Sequence, residues 1–112
     1  MKYLKAYESK KGPQIGDYVV CKDSLFEEDE MVNFFANNIG RYIKRNTPPY
    51  HYALSEFKYI IRYKNVPKDL RSQFEVDIED RFIRGMRRDE ILFFSSNKED
   101  CEIFINAKKY NL

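Results

Sequence analysis

The residue pattern of this 112-residue chain predicts a β-rich α+β domain built on a strongly bent antiparallel sheet. Three observations lead there. Gly16-Asp17-Tyr18-Val19-Val20-Cys21 and Asn38-Ile39-Gly40-Arg41-Tyr42-Ile43 each join a turn-permissive glycine to a short run of residues suited to a pleated, half-buried surface. Residues 57–64 alternate strictly, with Phe57, Tyr59, Ile61 and Tyr63 interleaved by Lys58, Ile60, Arg62 and Lys64. Period-two alternation over that length marks a strand with one apolar face. Two Ser-x-x-Glu capping boxes, at Ser24–Glu27 and Ser96–Glu99, open the only helical stretches.

In chain order, residues 1–11 read as a polar lead-in with an edge strand at Tyr3-Leu4. Gly12-Pro13 is a turn signal, and 17–22 is the first strand. The acids Glu27 to Glu30 suit a helix N-terminus, where the macrodipole favours negative charge. Met31, Phe34 and Phe35 at helical spacing, with Asn38 and Gly40 as a stop, give a short inserted helix over 27–37. Ile39 to Lys44 resumes as a strand and ends before Asn46-Thr47-Pro48-Pro49. Asn65-Val66-Pro67 ends the alternating strand, and 67–81 reads as a long connection anchored by Leu70, Phe74, Val76 and Ile78. The last strand candidates are 82–84 and 90–94. A C-terminal helix over 97–109 carries Cys101, Phe104 and Ile105 on one stripe, expected to close one end of a barrel, with Tyr110 and Leu112 just beyond.

The spacing of glycine, short hydrophobic strand, excursion and a second glycine-opened strand in 16–64, with Glu90 to Phe94 closing, resembles KOW-type and other SH3-like small barrels. That resemblance implies a barrel of about five bent antiparallel strands over 16–95, with helix 27–37 inserted where such modules have a short turn. Gly16-Asp17-Tyr18-Val19 together with the Ser-Asn-Lys-Glu helix is also similar to small accessory proteins of bacteriophages and mobile elements, some of which inhibit host defence systems. The whole chain, 1–112, is expected to form a single domain.

Composition bounds the function. Aromatic residues are 16% of the chain, nine Phe and nine Tyr, enough to build a small core. Charged residues are 34% yet nearly cancel at +2, which argues against a dedicated nonspecific nucleic-acid binder. Two cysteines, Cys21 and Cys101, in apolar contexts read as buried reduced thiols. Neither a signal peptide nor a membrane span is visible, so a cytoplasmic setting and no membrane partner are expected.

Charge is zoned. From Arg41 to Lys64 the charged residues are Arg41, Lys44, Arg45, Lys58, Arg62 and Lys64 against Glu56 alone. Residues 75–80 are acidic, and Arg81, Arg84, Arg87 and Arg88 follow. Solvated blocks that neutralise one another would give this pattern, and so would faces for electrostatic docking. Tyr50-His51-Tyr52 follows Pro48-Pro49 in an expected loop tip, where tyrosines offer large contact area at low entropy cost. Arg84-Gly85-Met86-Arg87-Arg88 reads as a hairpin turn in which guanidinium groups surround a glycine that permits close backbone approach. The candidate binding residues are therefore Tyr50, His51 and Tyr52 with Arg84, Arg87 and Arg88, extended by Arg41, Lys44 and Arg45.

No cofactor, metal site or catalytic set is expected. His51 is the only histidine, Cys/His spacing for zinc is missing, and Asp77 with Glu79 lacks a third ligand. A Cys–His dyad would need His51 to meet Cys21 or Cys101 through the fold. The expected function is a non-enzymatic binding protein, an inhibitor docking on a host defence protein. The alternatives are a KOW-like nucleic-acid-binding module and a pocket that sequesters an anionic nucleotide.

Overall fold

The computed structural model describes residues 12–22, 29–46 and 58–109. In chain order they form β1 (Tyr18–Cys21), α1 (Asp29–Asn37), β2 (Gly40–Arg45), β3 (Tyr59–Tyr63), a 3-10 segment (Lys68–Gln73), β4 (Glu75–Val76), β5 (Phe82–Met86), a second 3-10 turn (Arg88–Glu90), β6 (Ile91–Ser95) and α2 (Lys98–Lys109). The strands make one antiparallel six-stranded sheet in the order β4-β5-β3-β2-β1-β6. Among the described residues this sheet is open, with β4 and β6 at its edges, and it does not close into the five-stranded SH3-like barrel expected from the sequence.

Successive strand residues point to opposite faces, and both faces are used. On one face Val19, Cys21, Tyr42, Ile61, Tyr63, Met86 and Ile91 pack against Met31, Phe34 and Phe35 of α1 and against Val66, Leu70 and Phe74 around the first 3-10 segment. Phe34, Phe35, Tyr63 and Phe74 form an aromatic cluster with ring centroids 5.3–6.0 Å apart, mostly edge to face, the arrangement that ring quadrupoles favour. On the other face Val20 and Phe93 pack with Cys101 of α2, joined by Tyr18, Ile39, Phe104 and Ile105. Phe93 and Phe104 stack at 4.6 Å. The Cys101-Phe104-Ile105 stripe thus lies on the sheet rather than plugging a barrel end.

Two bulges set the register. Leu92 is the extra residue of β6 opposite Val20 and Cys21, and Ile43 is the extra residue of β2 opposite Ile60 and Ile61. The two strand-opening glycines do different work. Gly16 has φ +101° and turns the chain into β1. Gly40 lies in β2 beneath two core side chains. A Cβ there would overlap Ile61 and come within 2.8 Å of the Tyr63 ring.

Several expectations are corrected. Ile60, assigned to the polar side of the alternating strand, is as buried as Ile61, while Lys58 is exposed and Arg62 half-buried. The long connection over 67–81 contains the first 3-10 segment and the two-residue edge strand β4. Its anchors divide, Leu70 and Phe74 being buried while Val76 and Ile78 are exposed. β5 runs on through Arg84, Gly85 and Met86, so the reversal falls at Arg87–Glu90. The start of α2 is held by Asn97 and Ser95 rather than Ser96: Glu99 N–H donates to Asn97 Oδ1 at 3.0 Å, and Asn97 N–H to Ser95 Oγ at 3.0 Å. The Tyr3-Leu4 edge strand, the Ser24–Glu27 capping box, Tyr110 and Leu112 lie outside the described residues.

Candidate functional site

The strongest recess from a chemical standpoint is a cleft of about 460 Å³ beside α2, reaching the end of α1 and the adjoining ends of β2 and β3. Among the described residues its cations are Arg41, Arg62, Lys64 and Lys98, against the single carboxylate Glu102. Asn37, Asn38, Asn65 and Asn106 add amide groups. The register explains the convergence. Arg41 of β2 and Arg62 of β3 are direct cross-strand partners, so both guanidinium groups rise from the same face of the sheet. Lys64 follows Arg62 by two residues, and Lys98 belongs to the first turn of α2.

Arg41 is held in place. Its Nε donates to the Gly16 carbonyl at 3.2 Å, and its guanidinium lies 4.9 Å from the centroid of the Tyr18 ring. Arg62 differs: its Nε is buried and has no hydrogen-bond partner. A buried donor left unsatisfied normally carries a desolvation penalty of about 1–3 kcal/mol, more for a charged group. Lys98 is also placed against expectation, because cations are disfavoured near the positive end of a helix dipole. Asn38 Nδ2 donates to Phe34 O and Asn37 Nδ2 to Asn33 O, each at 2.8 Å, which orients both amides at the end of α1. A cleft with this lining suits a ligand rich in negatively charged oxygens.

The candidate residues taken from the sequence scatter. Arg41 lies in the cleft. Lys44 and Arg45 are exposed on the far half of β2 and do not line it. Arg84 opposes Ile61 in register, hence lies on the face opposite Arg62, buried with its guanidinium 5.2 Å from the Phe35 centroid. Arg87 and Glu90 staple the second 3-10 turn: Arg87 N–H donates to Glu90 Oε1 at 2.8 Å, and the Arg87 side chain reaches Asp89 at 3.1 Å. Arg88 stacks 5.3 Å over Phe94 and donates to the Ile91 carbonyl at 3.1 Å. These three arginines serve packing and turn geometry and do not converge. Tyr50, His51 and Tyr52 lie outside the described residues.

Asp77 is likewise structural. It accepts from the Glu79 and Arg81 amides at 2.9 Å each and from Arg81 Nε at 2.8 Å. Burial opposes its ionisation, but these hydrogen bonds outweigh burial and hold its carboxyl below the usual carboxylate range. Among the described residues no group of three His, Cys, Asp or Glu side chains is placed to hold a metal ion. The thiols of Cys21 and Cys101 are buried and free. Burial pushes both up to about 12, with help from Glu90 at Cys21 and from Asp100 at Cys101. Neither is an activated nucleophile. Among the described residues no helix is long and apolar enough to cross a membrane.

No family model, curated protein or solved structure matches the chain, so neither the KOW-type nor the bacteriophage resemblance is shown.

Proposed function

We propose that this chain is a small non-enzymatic binding protein whose cleft takes a phosphate-bearing ligand of nucleotide size. The observation that carries the reading is the directly opposed pair Arg41 and Arg62, with the Arg62 Nε buried and unpartnered. Like charges facing each other across two strands oppose folding. An oxyanion between them would relieve that repulsion and, with a small turn of the Arg62 guanidinium, give the enclosed Nε a partner. The volume of about 460 Å³ falls within the roughly 300–1,000 Å³ usual for small-molecule sites. Four asparagines supply the paired donors and acceptors that a base edge requires. A net charge of only +2 favours a compact anion over a nucleic-acid backbone, which rewards a broad basic surface.

Isothermal titration calorimetry with adenosine and guanosine mono- and triphosphates, run beside a single-stranded oligonucleotide, tests the reading. A mononucleotide should bind, and Arg62→Ala should weaken it about tenfold or more, the loss of one charge-assisted hydrogen bond. Lys44→Ala, outside the cleft, should bind like the parent. No heat with any nucleotide, or unchanged affinity in both Arg62→Ala and Arg41→Ala, overturns the assignment. Binding confined to the oligonucleotide, with a steep salt slope, would favour a nucleic-acid-binding module instead.

A further inference from the structure

Ile78 is fully exposed at the tip of the turn between β4 and β5. A single exposed apolar residue is ordinary, but this one is displayed on a rigid mount. Asp77 gathers the Glu79 and Arg81 amides and the Arg81 side chain, and Arg81 also pairs with Glu79 at 2.8 Å. Asp80 takes a left-handed φ of +58°, which fixes the reversal. Val76, also exposed, lies two residues before Ile78, and the exposed acids Glu75, Glu79 and Asp80 flank them in sequence, Glu79 being paired with Arg81. The tip is thus a pre-organised apolar knob in an acidic collar, a form that loses little entropy on docking.

The complementary shape lies at the other edge of the same sheet. A groove of about 640 Å³ opens at the end of β1, between α1 on one face of the sheet and α2 on the other. Val20, Val32, Ala36, Leu92 and Phe104 line it, and Val32 and Leu92 remain 43% and 39% exposed. Its charged lining among the described residues is Lys22, Lys108 and Lys109, with no carboxylate. An apolar groove rimmed by lysines matches an apolar knob collared by acids.

We propose that the Glu75–Arg81 tip of one copy docks into the α1/α2 groove of a second copy, with Ile78 as the anchor. Since tip and groove occupy opposite edges of the β4-β5-β3-β2-β1-β6 order, the contact is head to tail. A copy that has docked its tip still offers its groove, so assembly continues into a chain or closes as a ring. A tip this small buries less than the roughly 1,200 Å² of a stable complex, so the assembly is weak and depends on concentration.

Sedimentation velocity on the full chain across a wide concentration range reads this directly. The parent should pass beyond the dimer as concentration rises, and added salt should reduce the average mass. Ile78→Asp and the double variant Lys108→Glu/Lys109→Glu should each weaken association about tenfold or more. All three positions are exposed, and unchanged circular dichroism and thermal transitions confirm that the variants fold. An equimolar mixture is decisive: one variant keeps its groove and the other its tip, so a single junction forms and growth stops at the heterodimer. A parent that stays monomeric at high concentration, a dimer indifferent to Ile78→Asp, or a mixture that grows past two copies overturns the proposal.

Discussion

Replacing Gly40 by alanine isolates a close contact on which both the core and the cleft wall depend. Gly40 does not have the positive φ that would strain any side chain, so the effect is steric. The new methyl group would press on Ile61 and lie 2.8 Å from the Tyr63 ring, with both neighbours buried in the main core. Overpacking of this kind costs about 1–3 kcal/mol. Alanine also restricts the unfolded chain, which returns about 0.4–1 kcal/mol. With both contacts far inside ordinary van der Waals separation the overpacking cost sits at the upper end of its range, so the net loss is about 2–2.6 kcal/mol, and at about 4–8 °C per kcal/mol for a domain near this size, Tm should fall by roughly 8–21 °C. Thermal and urea denaturation followed by circular dichroism measure it. The Ile61→Ala background removes one of the obstructing groups, so the Gly40→Ala penalty should shrink there, a coupling expected only between touching residues. A Gly40→Ala protein as stable as the parent, or strictly additive with Ile61→Ala, would show that the glycine is not needed for close packing.

Ile61→Asp places an unpaired carboxylate in the core, a loss beyond about 4 kcal/mol that a marginally stable domain cannot absorb, so no cooperative unfolding transition should remain. Arg62→Asp on the adjacent, half-buried position should leave Tm unchanged or raised, because it removes the unsatisfied Nε and sets a carboxylate opposite Arg41; equal losses of stability for the two would refute the face assignment of β3. The depressed Asp77 carboxyl contributes stability that is present above its unfolded pKa of about 3.9 and lost as pH falls through the lower folded value. Asp77→Asn should therefore flatten the fall of urea-unfolding stability below about pH 4, and parallel curves for the two proteins would contradict the hydrogen-bond account. Both thiols, buried and pushed up to about 12, should resist iodoacetamide at pH 8 until the chain is unfolded by urea; rapid labelling of the native protein would refute their burial.

Elements dictated by local chemistry were the legible ones. The alternation around Ile61, the Val-Val-Cys run and the Phe34-Phe35 stripe placed β3, β1 and α1 within about two residues, since side-chain period and turn residues act over short range. What required distant partners was not legible. Barrel closure depends on whether the edge strands meet, and nothing local in Glu75-Val76 or Ile91–Ser95 announces that they remain edges. The burial of Ile60 required knowing that both sheet faces are covered. Gly40 looked like a turn glycine because its neighbours suggested a strand opening, yet its role comes from Tyr63, twenty-three positions away.

The cleft shows the same division at the level of function. A basic stretch from Arg41 to Lys64 was visible, but which of its cations converge depends on register. The bulge at Ile43 places Arg41 opposite Arg62 while Lys44 pairs with Ile60, outside the cleft. The arginine run at 84–88 was the more conspicuous signal, and the fold uses it for stacking and for stapling a turn. Density of charge in sequence is therefore a weak guide, because a cation answered by a ring, a carbonyl or a carboxylate keeps little for a ligand unless, like Arg41, it also lines a recess beside a second cation. Arg84 over Phe35, Arg87 with Asp89 and Arg88 with the Ile91 carbonyl are all answered in that sense. Arg62, set opposite a like charge with its Nε unsatisfied, is not, and that unbalanced local cost distinguishes a cation held for a ligand from one held for the fold.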